Sequence, residues 1–143
     1  MRARLDEYSG YHRTPGNEAC HFVGVPLIVA GTSILLGRVA LANFFGFQLT
    51  LTELVLAAIA LFYVIEARWL GALTALVMVV LAELSRPLPF YVGLALFLVG
   101  WAVQFVGHAV YEHRSPAFLN NLLHLLVGPA WLLERAAKPK STP

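Results

Sequence analysis

Two short blocks hold most of the residues able to do chemistry in this chain. The first, YHRTPGNEACH at 11–21, carries His12, Asn17, Cys20 and His21. The second, QFVGHAVYEH at 104–113, carries Gln104, His108, Glu112 and His113. His124 follows and completes the 5 histidines of the sequence. Imidazoles grouped with amides and a carboxylate are ligands for iron or zinc, and the companion groups fix the tautomer of each ring. On this reading His12, His21 and His108 are metal ligands and His124 is a candidate fourth. The competing reading makes each histidine an amphipathic anchor at the headgroup level of a membrane. That reading suits His113, beside Arg114 in a polar loop, and stays open for His124. Glu112 is a ligand, a group that orients one, or a solvated charge. Asn17 follows Pro15-Gly16, is expected to cap a helix, and shares a face with His21 four residues on. Gln104, His108 and Glu112 recur every fourth residue on one slowly drifting face. The lone Cys20 permits no internal disulfide. No Ser/His/Asp arrangement or phosphate-binding glycine loop is present.

These residues need elements to position them, and the composition says which. Hydrophobic residues make up 59% of the chain and charged residues 13%, against ~25% charged in an ordinary soluble domain. The net charge of +2 and the lack of a basic stripe exclude a nucleic-acid partner. The pattern predicts a single all-α, polytopic membrane domain over 1–143, with the lipid bilayer as its solvent. A polar metal-site segment, 1–21, leads into four spanning helices within 22–107, at about 22–42, 48–65, 69–84 and 88–107. Each lies near the ~20 residues needed to cross a bilayer. The tripeptide EAR at 66–68 leaves only a tight hairpin between the second and third, and SRPLP at 85–89 breaks the chain before the fourth. A metal-site loop and a re-entrant or interfacial helix occupy 108–134. That helix, about 118–134, contains Asn120, Asn121 and His124 and is interrupted by Gly128-Pro129. Residues 135–143 are expected to be a disordered tail. No cleavable signal peptide is expected at the N-terminus.

With a cytoplasmic N-terminus and four crossings, Arg2, Arg4, Arg13, Arg68, Arg114, Arg135, Lys138 and Lys140 lie inside, and only Arg38 and Arg86 outside, which satisfies the positive-inside rule. All histidines then fall on the cytoplasmic side of a bacterial inner membrane or an endoplasmic-reticulum membrane. Gln104 lies about one turn inside the bilayer and should face a partner or a cavity rather than lipid. Gly93, Gly100 and Gly107 recur every seven residues on the fourth helix, and Gly24 and Gly31 on the first. Such stripes let membrane helices approach closely, and pairing these two helices brings His21 near His108.

The two blocks also carry a family resemblance. Tyr11, His12, Pro15, Asn17 and His21 match one motif. Gly100, Trp101, Gln104, Phe105, Gly107, His108, Glu112, Pro116 and Ala117 match the other, with Tyr111 where that motif has Phe. The chain, from about residue 8 to 134, resembles the small multi-pass fungal and bacterial proteins that include 2-hydroxy fatty acid dioxygenases of phytosphingosine breakdown. The resemblance implies an Fe(2+)-dependent dioxygenase that takes a 2-hydroxy fatty acid and O2 and shortens the acid by one carbon. It places Asn17, Gln104 and Glu112 in the catalytic site beside the histidines. A zinc-dependent lipid hydrolase would use the same three histidines and a water. A non-enzymatic lipid-binding scaffold would use them as headgroup contacts.

Overall fold

The structure, a computed structural model, describes residues 1–113 and 123–137. Helix α1, Arg2–Tyr11, is short and polar, and buries Leu5 and Tyr8. Helix α2, Pro15–Leu36, starts on Thr14, whose hydroxyl accepts from the Asn17 amide at 3.3 Å, with Pro15 in the first turn. Proline suits that position, where its missing N–H would have no intrahelical partner. The cap expected at Asn17 is therefore Thr14, and the helix begins well before residue 22. It also ends earlier than residue 42, at Leu36.

The chain then departs from the all-α expectation. Strands β1, Ala40–Phe44, and β2, Phe47–Thr50, pair antiparallel. The turn residues Phe45 and Gly46 have φ of 50° and 86°, the positive pair that lets a two-residue turn match the twist of its strands. The aromatic run NFFGFQ, with glycine at the turn, is a strand signal hidden in the sequence by the neighbouring apolar helices.

Helix α3, Leu51–Ser85, opens on a capping box in which Thr50 and Glu53 exchange side-chain bonds to backbone N–H groups. It is not one rod. Arg68 has φ 45° and ψ −112°, and Arg86 Nη1 lies 3.3 Å from Glu53 Oε1. A straight helix would hold those residues about 50 Å apart. The limbs 51–67 and 69–85 therefore run antiparallel, as the tight connection at 66–68 requires. Among the described residues three helical stretches are long and apolar enough to cross a membrane: Pro15–Leu36, Leu51–Ser85 and Phe90–Glu112. The four crossings expected from the sequence count the limbs of α3 separately, and each limb is roughly 25 Å long.

Helix α4, Phe90–Val106, continues into a π-helical turn, Gly107–Glu112, and α5, His124–Ala137, closes the described chain. Asn120 and Asn121 lie outside the described residues. Residues 135–137, expected in the tail, belong to α5, and 138–143 lie outside the described residues.

The glycine stripes pair α2 with α4. A Cβ on Gly24 would lie 3.0 Å from the Gly100 carbonyl oxygen, and one on Gly31 only 2.5 Å from the Phe97 amide nitrogen. Backbones this close admit no side chain. Exposure is inverted relative to a soluble protein. Leu61, Ile65, Trp69, Leu76, Leu84 and Leu98 are exposed, whereas Asn17, Thr74, Gln104 and the histidines at 12, 21, 108 and 124 are buried. Such a surface suits lipid, and the four buried histidines gather with Gln104 around one cavity.

The molecule has two poles. At one, Arg86 also donates to the Gln48 carbonyl at 2.7 Å, tying the β-hairpin to α3. At the other, the Met1 amino group and Arg4 both reach Glu66, at 2.9 Å, seating α1 on the turn of α3. Arg2 pairs with Glu134 at 2.8 Å and Arg135 with Glu18 at 2.5 Å, so α5 is tied to α1 and α2. The Tyr63 hydroxyl donates to the Leu126 carbonyl. All five histidines lie at this second pole.

Candidate metal centre

Three elements deliver one imidazole set. His12 ends α1, His21 lies on α2 one turn after Asn17, and His108 sits on the π-helical turn. One ring nitrogen from each, all within 4.8 Å of one another, forms a buried group that could hold a metal ion. Each pair of rings is close to perpendicular, with centroids 4.1 Å apart for His12 and His21 and 5.0 Å for each with His108.

The hydrogen bonds around two of the rings test whether a metal fits. His12 Nδ1 lies 2.7 Å from the Tyr8 carbonyl oxygen, and His21 Nδ1 lies 2.9 Å from that of Asn17. A carbonyl only accepts, so both Nδ1 atoms carry protons. Both neutral rings then present a lone pair at Nε2, and the two Nε2 atoms face one another at 2.8 Å. That arrangement needs a positive charge between them. A proton is one solution, but burial pushes the His12 imidazole down to about 4, so near neutral pH the pair does not hold one. A metal ion is the other, and the donor set fits it.

The surroundings keep these rings in place. The Tyr8 ring stacks on His12 at 4.0 Å and 15°, and Trp131 packs on the same imidazole at 5.2 Å. Trp131 Nε1 donates to Ser9 Oγ at 2.9 Å, which donates to the Leu5 carbonyl. Burial pushes the Tyr8 phenol up, so it stays protonated. Neither Tyr8 nor Trp131 stands out in the sequence as part of a site. Tyr8 sits four residues before His12, a signal that has meaning only once α1 is known to be helical. Trp131 has no local signal.

Glu112 joins the two blocks. Its Oε1 accepts from the Arg13 amide at 2.7 Å, the Thr14 amide at 2.9 Å, the Thr14 hydroxyl at 3.1 Å and Asn17 Nδ2 at 3.4 Å. A carboxylate at the N-terminus of α2 also suits the helix dipole. Asn17 is 0% exposed, and its Oδ1 leaves no room for a Cβ on Gly107. Gly16 likewise makes way for the ring of Tyr111. These contacts lock the turn bearing His12 onto the turn bearing His108.

A family description, 2-hydroxy-palmitic acid dioxygenase Mpo1-like, matches residues 1–139. The chain belongs to the Mpo1-like family. The 2-hydroxy-palmitic acid dioxygenase MPO1 of Saccharomyces cerevisiae is 35% identical over 127 residues, which cover 89% of this chain and 73% of the yeast protein. No solved structure matches.

In this Mpo1-like chain an apolar cavity of about 310 Å³ opens beside the three histidines. Val25, Ile28, Phe97, Trp101 and Pro129 wall it, and Gln104 and His124 line it near the imidazoles. Gln104 is 5% exposed, and its Nε2 takes no hydrogen bond among the described residues. His124 is buried with Nε2 3.4 Å from Glu7 Oε1, and it is not one of the group within 4.8 Å. Asn17 and Glu112 stand behind the histidines and do not line the cavity. His113 is exposed at the end of the π-helical turn, with φ 51°. The motif positions Pro116 and Ala117 lie outside the described residues.

Proposed function

We propose that this chain is an Fe(II)-dependent dioxygenase that cleaves the C1–C2 bond of 2-hydroxy fatty acids. The observation that carries the reading is the pair of Nε2 lone pairs facing one another at the head of an apolar cavity. Family membership supplies the substrate class. His12, His21 and His108 would hold the iron. Bound there, iron supplies a redox-active centre where O2 can meet the carboxylate and hydroxyl of the acid. The reaction balances without a further reductant: a 2-hydroxy acid and O2 give the acid one carbon shorter, CO2 and water.

The protein's own residues do the rest. The Tyr8 and Asn17 carbonyls keep His12 and His21 in the tautomer that offers Nε2. Gln104 offers a buried N–H donor to the acid's polar head, and the cost of leaving that donor unmet favours a ligand with an acceptor there. His124 is available to the same head or as a fourth nitrogen donor. Glu112 and Asn17 hold the two blocks in register. Trp131 and Tyr8 exclude water. The tail lies among apolar side chains of α2 and α4.

Iron is favoured over zinc by the family, whose description names a dioxygenase: chemistry on O2 calls for a redox-active metal, which zinc is not. In the membrane, we place both limbs of α3 as crossings, giving four, with both termini and the site on the cytoplasmic side. The test is conversion of 2-hydroxypalmitic acid to pentadecanoic acid by purified protein. Turnover that persists without O2, or an unaltered carbon chain, overturns the reading in favour of a hydrolase or a scaffold.

A further inference from the structure

The cavity has a direction. On α2 its lining runs from His21 to Thr32, and on α4 and the π-helical turn that continues it from His108 back to Phe97. The helices are antiparallel, since Gly24 meets Gly100 while Gly31 meets Gly93. The two walls therefore descend together from the histidines, each for roughly 16 Å along its helix. The lining ends at Thr32 on α2 and Phe97 on α4, the level at which Gly31 packs on the Phe97 backbone and Gly93 on Ile34.

We infer that this groove measures the alkyl tail of the substrate, with Thr32 and Phe97 as its floor. The inference rests on the dioxygenase reading for the identity of the ligand. An extended alkyl chain would cover a run of roughly 16 Å with about thirteen carbons. The cavity volume of about 310 Å³ gives a similar answer: a methylene fills about as much space as a water molecule, roughly 30 Å³, so about ten fit. With two or three carbons held at the head, the floor meets the terminal methyl of a 2-hydroxy acid of about twelve to sixteen carbons. Product one carbon shorter no longer fills the groove, which favours its release.

The test is binding without turnover. Full-length, iron-loaded protein in lipid nanodiscs is held free of O2, and 2-hydroxy acids of ten to twenty carbons compete against radiolabelled 2-hydroxypalmitic acid. Affinity should rise about fourfold per added methylene up to the length that reaches the floor, and then stop rising. Thr32→Leu should move that break two or three carbons shorter, leaving the shortest acids bound as in wild type. Phe97→Ala should move it longer, with Phe97→Leu as the milder variant if the alanine protein does not fold. An affinity that climbs evenly through twenty carbons, or a break that ignores both floor substitutions, overturns the ruler. Failure of the dioxygenase reading looks different: the break appears and moves as expected, but admitting O2 yields no shortened acid.

Discussion

His12 and His21 face one another through Nε2 across 2.8 Å, and each is held in that attitude by the carbonyl one helical turn before it. Four-residue spacing thus sets both the position and the tautomer of each ring. Neither ring can turn its lone pair away without leaving a buried Nδ1–H unmet.

This relationship makes the metal-free protein sensitive to acid. The folded His12 sits at about 4, below the ~6.5 of an unhindered imidazole. Between those values the unfolded chain binds more protons than the folded one. The contribution is therefore fully present above pH ~6.5, falls by up to about 1.4 kcal/mol per pH unit as the pH drops, and levels off below pH ~4. Thermal unfolding of metal-free protein between pH 7 and 4 reads this, and a midpoint that stays flat across the window contradicts it.

Glu112 should act on metal affinity rather than on the substrate. Its carboxylate holds the backbone at Arg13 and Thr14, and removing such a support costs ~10–100-fold in metal binding. Glu112→Ala is expected to need that much more iron for half-maximal loading, with turnover near wild type once iron is saturating. Normal loading with lost turnover would show that the carboxylate meets the substrate.

Glycine substitutions should separate by their neighbours. Gly31→Ala drives a methyl into the α4 backbone and should cost about 1–3 kcal/mol through overpacking. In α1, Gly10→Ala meets nothing within 4 Å and should gain up to ~1 kcal/mol from helix propensity. Equilibrium unfolding in detergent compares them, and equal effects of the same sign would mean the stripe is not in contact.

His113→Ala should leave iron content and turnover within about twofold of wild type, as expected of an exposed surface change. A loss tracking that of His108→Ala would bring His113 into the site.

The local patterns carried the reading as far as local physics reaches. His12, His21 and His108 came from residue type and spacing, and the glycine stripes placed His21 near His108 because close helix approach has a sequence signature. The cap moved from Asn17 to Thr14 because Thr14-Pro15 is itself a helix start, and Asn17 is drawn inward to Glu112. Residues 40–42 and 48–50 read as the ends of helices 22–42 and 48–65, with 43–47 as their connection, because hydropathy alone cannot separate a short strand from a helix end. The standing of His124 beside Glu7, and the packing of Trp131 on His12, depend on where α5 returns, 119 residues from His12 in the second case. No period in the sequence reports that.

If three histidines from two distant blocks hold one catalytic iron, metal content and turnover of 2-hydroxypalmitic acid must fall together in His12→Ala, His21→Ala and His108→Ala. Wild type should carry about one iron per chain, and each variant should still insert and fold yet lose both iron and turnover. Alanine variants that keep full iron and full activity would rule the site out.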